Sequence, residues 1–326
     1  MTLRTGRRRR GSPAASWSDA GPAVFFLSDY GTADEFVGVV HAVLHRLAPG
    51  LAVIDLSHRI PPFDIGAGSA MLVRSAPSLG PGVVLAVVDP GVGTGRRGVA
   101  IEIGGPEATP RWVVGPDNGL LAAGAAVLGG AIRAISLHAG PTTFDGRDVF
   151  APAAAHLATG GDPNALGTEV DPGGLSSPPD STGGGPVVVA GAGGPELVVS
   201  VVWIDGFGNV QLDCGPDDLD GLGIAVGDTV WIAAAAATDG PAPARRVEAF
   251  GRLGAGALGL MVDANRRIAL VMDRASAAER IGLTGAGPGV GGSGRAAPTQ
   301  PREAFRQVRI VGAPPPRSRI GTVEVS

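Results

Sequence analysis

Lysine is absent from the 326 residues, and all 26 basic side chains are arginine. A Schiff-base lysine and a lysine-bearing phosphate loop are therefore excluded. Cysteine occurs once, as Cys214, so no intrachain disulfide and no cysteine-rich metal site can form, which suits a reducing cytoplasm. No apolar run approaches the roughly 20 residues that span a bilayer, so no membrane partner is expected, and internal repeats are lacking. The arginine run near the amino terminus precedes no apolar stretch of signal-peptide length before Ala23. With a net charge of −4, nothing global calls for a nucleic-acid partner.

What is present describes a globular chain long enough for two domains. Charged residues make up 17% and hydrophobic ones 44%, outside the range of disordered chains. The 54 glycines and 28 prolines mostly punctuate apolar runs as turns. In the first half, AVFFLSD, LAVIDLS and GVVLAVVDP read as strands that alternate with two helical patterns, EFVGVVHAVLHRLAP and DIGAGSAMLVRSAPSL. That alternation predicts an α/β domain with a mostly parallel sheet, whose ligands belong at the carboxyl ends of its strands. Turn-rich sequence over 171–196 predicts a linker. Beyond it, short strand-like runs at close spacing predict a small antiparallel β-barrel, with SAAERIGL as a short helix. The expected organisation is a basic, disordered tail over 1–22, an α/β catalytic domain over 23–170, a barrel over 197–284 and a mostly disordered tail over 285–326, in which QVRIV alone is patterned.

Four polar motifs interrupt the apolar sequence. In DPGVGTGRR, Asp89 follows a strand and a glycine-rich turn can fold Arg96 back toward it, either to build a site or simply to brace a loop. The motif lacks the spacing of a dinucleotide or phosphate loop. In LSDYGTADEFVG, Asp29 suits a ribose diol, and Asp34 suits either the same role or the capping of the helix that follows. In IDGFGNVQLD, Asp205, Phe207 and Asn209 alternate, so on a strand they share a face and offer a carboxylate, a stacking ring and an amide; a bulged turn at Gly206 and Gly208 is the other reading. TFDGRDVFAP supplies Asp145. GPDNGLL, His58 and His138 read as structural.

Taken in this order and spacing, the four motifs resemble the S-adenosylmethionine hydroxide adenosyltransferase family, related to the fluorinases and chlorinases, over roughly 24–283. The resemblance implies a homotrimer with active sites between subunits and hydrolysis of S-adenosylmethionine to adenosine and methionine, with no metal or cofactor. It implies that Asp29 holds the ribose hydroxyls, that Asp205 meets the methionine ammonium group and that Phe207 and Asn209 contact adenine. Asp89 and Arg96 match two members of a water-holding trio. The aspartate of DPGVG belongs to the hydrolase form and is missing from the halide-using forms; a carboxylate there repels halide but can orient or deprotonate water. The third member is usually the histidine of HGRD, and this chain has Asp145 in its place. Two carboxylates around one arginine push one pKa upward. An adenosyl-binding protein with lost catalysis, or a halide-using relative, are the alternative functions.

Overall fold

The computed structural model of the chain describes residues 21–106, 110–138, 140, 142–177, 185–191, 193–234, 240–283 and 307–312. Most of the two expected tails lies outside these residues. The chain forms two units, one made of Met1–His58 with Ser75–Ser177 and the other of Arg59–Arg74 with Pro178–Ser326. Its helices are α1 Phe36–Leu47, α2 Ile65–Ser75, α3 Ala122–Leu128, α4 Ala151–Ala158, α5 Pro216–Asp220 and α6 Ala277–Arg280.

The first unit holds a seven-stranded sheet of β1 Ala23–Ser28, β2 Ala52–Ser57, β3 Gly82–Val87, β4 Gly98–Ile103, β5 Pro110–Pro116, β6 Ala131–Leu137 and β7 Gly167–Val170. Its order is β2-β1-β3-β5-β4-β6-β7. The pairs β1–β2, β1–β3 and β3–β5 are parallel, and β4 runs against both β5 and β6. The mostly parallel α/β domain is therefore as expected, with antiparallel pairing on the β4 side. β1 and β3 are buried at every position, as central strands covered on both faces must be. α1 sets Val40 and Leu44 at i, i+4 into the core beside Val24, Phe26 and Leu85, where α4 adds Ala151, Ala154 and Leu157. His45 and Arg46 fall in the last turn of α1, where positive charge suits the helix dipole. β2 is the edge strand, and its largely exposed run carries Asp55.

The second unit is a barrel of β9 Gly194–Ile204, β10 Val210–Leu212, β11 Thr229–Ala234, β12 Ala242–Arg246, β13 Leu258–Val262, β14 Ile268–Met272 and β15 Gln307–Val311, with β8 Val187–Gly191 paired to the start of β9. The ring runs β10-β14-β13-β12-β11-β15-β9, and β9 closes it on β10 through Val210↔Ile204. Every neighbouring pair is antiparallel except β12–β13. Alternation along β12, with Ala242, Ala244 and Arg246 buried between exposed residues, points one face inward. Closure leaves the wall without free edges. Two boundaries differ from the sequence reading: β8 occupies part of the expected linker, and β15, from beyond residue 284, is a wall strand with Val308 and Ile310 fully buried.

Candidate active site

The turn after β3 places Asp89 by its own backbone. Gly91 N–H donates to Asp89 Oδ1 at 3.1 Å, Thr94 Oγ1 donates to Gly91 O at 2.7 Å and Arg96 N–H donates to Thr94 Oγ1 at 3.3 Å. Gly93 sits at φ +77°, a left-handed conformation that costs glycine little. The loop thus folds Arg96 back onto the aspartate. Arg96 Nε donates to Asp89 Oδ1 at 3.1 Å, and its Nη2 donates both to Asp89 Oδ2 and, at 2.6 Å, to Asp145 Oδ2. One guanidinium bridges two carboxylates, Asp89, seven residues before it in sequence, and Asp145, 49 residues after it.

Asp145 stands at the head of a π-helical turn, Gly146–Phe150, that runs directly into α4. Such turns recur at functional sites because the widened coil re-aims side chains. Gly146 is required there: a Cβ would lie 2.0 Å from the Tyr30 hydroxyl and 3.2 Å from the Phe144 ring. The other half of DGRD faces itself, since Arg147 chelates Asp148 at 2.6 and 2.7 Å and Thr142 Oγ1 donates to Asp148 at 2.7 Å. The side chains of Asp89, Arg96 and Asp145 are 3%, 10% and 12% exposed, so the three charges interact with little solvent screening. Burial pushes the Asp89 carboxyl above its usual range, against the downward pull of Arg96, and the nearby Asp145 charge adds to the rise. A cavity of about 790 Å³ opens beside Arg96 and Asp145.

Tyr30, the only tyrosine in the chain, was not singled out by the motif reading, although it lies between Asp29 and Gly31. Its ring meets Phe144 edge-on at 5.5 Å and Phe36 at 5.9 Å. Burial, then the charges of Asp29, Asp89 and Asp145, raise its pKa, so the phenol stays a neutral hydrogen-bond donor. Phe150, fully buried, lies 5.4 Å under the Arg96 guanidinium and adds a cation–π contact. Asp29 follows β1, and its N–H donates to Val87 O at 3.3 Å. Asp34 is exposed and does not cap α1, whose N-cap is Glu35. Asp117 and Asn118 of GPDNGLL are structural: Asp117 binds Arg97 at 2.5 Å and Ser176 N–H at 2.7 Å, and Asn118 Nδ2 donates to Val88 O at 2.9 Å.

In the second unit, Asp205, Phe207 and Asn209 do not share a strand face. β9 ends at Ile204 and β10 begins at Val210, and the residues between form a turn tied by Asp205. Its Oδ1 accepts from Phe207 N–H and Asn209 N–H, both at 2.9 Å, and its Oδ2 accepts from Asn209 Nδ2 at 2.8 Å. Gly208 takes φ +82°, and any Cβ there would strike Ser276. Local side-chain-to-backbone bonding of this kind outcompetes a strand. The turn leaves Phe207 83% exposed. Asp205 and Asn209 line a cavity of about 390 Å³ together with Arg74 and Trp203. Arg74 lies 4.9 Å over the Trp203 ring, and burial lowers its pKa to about 10. No motif marked it.

The first unit thus carries a buried carboxylate–guanidinium–carboxylate group in the segments beyond its strands, in one chain with a closed barrel. Residues 24–167 match the family described as SAM hydroxide adenosyltransferase N-terminal domain. The chain is 38% identical over 270 residues to the (R)-S-adenosyl-L-methionine hydrolase of Salinispora tropica, covering 81% of this chain and 95% of that protein. It is 26% identical over 238 residues to the fluorinase of Actinopolyspora mzabensis, covering 65% and 77%. A conserved hypothetical protein of Thermus thermophilus superposes with a TM-score of 0.61 at 35% identity, over 89% of this chain and 100% of that one. The chain belongs to the SAM hydroxide adenosyltransferase family.

Proposed function

We propose that this protein hydrolyses (R)-S-adenosyl-L-methionine to adenosine and L-methionine. A water oxygen bonds to ribose C5′ as the C5′–S bond breaks, the sulfonium keeps that bond's electron pair, and methionine leaves as a neutral thioether. The water's proton passes to a carboxylate of the trio. Asp89 is suited to receive it, because burial raises its proton affinity and Arg96 holds it in place. Asp145 takes the position of the family's histidine and, through Arg96, fixes the other side of the water site.

The observation that carries this reading is the bridge by which Arg96 joins Asp89 to Asp145. With one cation between two anions, the group has a net charge of −1 when both carboxylates are ionised. It therefore discourages halide and accommodates the sulfonium cation. Similarity to the Salinispora tropica hydrolase over most of both chains supports the same reaction. The adenosyl group is held by Asp29 and Asp34 at the ribose, with Phe207 and Asn209 at adenine and Asp205 at the methionine ammonium group. We further propose a homotrimer, in which different copies supply the two sets of contacts, acting in the cytoplasm without nucleic acid, metal or redox cofactor in the chemistry. Among the described residues, no helix is long and apolar enough to cross a membrane.

Incubation with S-adenosylmethionine and chromatography of the products tests the reading. Adenosine and methionine in equal amounts support it. 5′-Halo-adenosine formed in chloride or fluoride buffer, or substrate bound but recovered intact, overturns it.

A further inference from the structure

Away from the trio, the first unit brings a second chemically active group together on β1, β2 and α1. His41 Nε2 on α1 lies 2.8 Å from Asp55 Oδ1 on β2, and His58 Nε2, just after β2, lies 3.1 Å from the same oxygen. Among the described residues, these three offer one ligand atom each within 4.8 Å of one another. We propose that they bind a divalent first-row transition-metal ion, for which zinc serves as the probe.

Three observations carry the assignment. First, the donor set of two imidazoles and one carboxylate is the set that zinc and its neighbours prefer. For metal–ligand bonds of about 2.1 Å, separations of 2.8 and 3.1 Å correspond to angles at the ion of about 85–95°, so each imidazole can share an ion with the carboxylate, and a tetrahedral ion requires these contacts to open to about 3.4 Å. Second, His58 Nε2 is buried and makes no well-aligned hydrogen bond; the group that faces it is the Asp55 carboxylate, at 3.1 Å. A buried polar atom in that position suits a shared ligand. Third, the other nitrogen of His58 is already committed. Its Nδ1 lies 2.7 Å from Ser28 Oγ, which is fully buried, and the Phe26 ring meets the imidazole edge-on at 4.5 Å. With Nδ1–H donated to Ser28, the tautomer that the proposal requires, Nε2 carries the lone pair toward the carboxylate and the ring plane is fixed, the support that metal-bound histidines usually have.

His41 and Asp55 side chains are 36% and 41% exposed, so an ion has access, and water can complete its coordination. The site lies outside the trio and stands independently of the proposed hydrolysis. Its role is to tie α1 to the edge strand, next to the Ser28–Asp29 end of β1.

The test is zinc titration by calorimetry of full-length protein freed of metal by chelator, with thermal unfolding in parallel. The expected result is one zinc per chain. Ser28→Ala should weaken binding roughly 10–100-fold, and His41→Ala or Asp55→Asn at least as much. At zinc 100-fold above Kd, the wild-type Tm should rise by roughly 5–10 °C. Circular dichroism and adenosine formation without metal establish that the variants are folded. No saturable one-to-one binding by the wild type, or undiminished binding by folded His41→Ala and Asp55→Asn proteins, overturns the proposal.

Discussion

Replacing Asp89 by Asn separates chemistry from stability. The carboxylate uses both oxygens: Oδ1 accepts from Gly91 N–H and Arg96 Nε, and Oδ2 accepts from Arg96 Nη2. An asparagine keeps the first pair of bonds but turns an amide donor toward Nη2. One charge-assisted bond is lost, at a cost of about 1.5–3 kcal/mol. Burial opposes this loss. Because the folded state raises the Asp89 pKa, the stability contributed by its protonated form is fully present below the unfolded pKa and disappears as pH rises through the folded pKa. At neutral pH the wild type therefore carries a buried-charge penalty that the variant lacks. Arg96 also retains Asp145 at 2.6 Å. The two effects partly cancel, leaving a net change of about 1 kcal/mol, or roughly 2–4 °C in Tm for a unit of this size. The Tm difference between wild type and variant should shift in favour of the wild type on acidification toward pH 4. Turnover, by contrast, loses its proton acceptor and should fall roughly 10²–10⁴-fold, equivalent to about 3–5 kcal/mol in the barrier. Adenosine release at saturating S-adenosylmethionine measures the loss, and adenosine binding shows that the pocket survives. A folded variant turning over within about tenfold of wild type would remove Asp89 from the mechanism.

Asp145→His restores the family's usual side chain and cancels one negative charge beside Arg96. If the natural site is tuned to two carboxylates, kcat falls and the acid limb of the pH–rate profile moves; a higher kcat with an unmoved limb refutes that tuning. Gly146→Ala should destabilise by about 1–3 kcal/mol through overpacking against Tyr30, and Tyr30→Phe in the same chain should recover part of the loss, as denaturant titration of the two single variants and the double variant will show. Phe207→Ala, at an 83% exposed position, should leave stability within about 0.5 kcal/mol while raising KM for S-adenosylmethionine; an unchanged KM removes its ring from the adenine site.

Sequence patterns carried the first unit well, because β1 and β3 are continuous apolar runs and α1 keeps a clean helical period around Val40 and Leu44. The Asp89–Arg96 pair was also readable, since three glycines leave the loop little choice but to fold back. Spacing alone could not place Asp145 beside them, because that contact depends on how the π-helical turn enters α4; the motif resemblance supplied it. The alternate spacing of Asp205, Phe207 and Asn209 misled, since the same positions serve a side-chain-tied turn once glycines lie between them. The short QVRIV run could be read as a strand, but nothing in its pattern names β11 and β9 as its neighbours. His41, Asp55 and His58 lie on a helix and an edge strand, and only tertiary packing shows that they meet.

β15 also sets a timetable for synthesis. All residues of the first unit have been made once Ser177 is added, whereas the barrel lacks one wall strand until Val311, 134 residues later. At about 5–20 residues per second, the sides of β9 and β11 that β15 will join stay unpaired for several seconds or longer. During that interval they are open edges, available to strands of neighbouring nascent chains. Slowing translation after β14 should increase aggregation of this protein more than a comparable pause just after Ser177, because only the later pause prolongs the life of a nearly complete but open barrel.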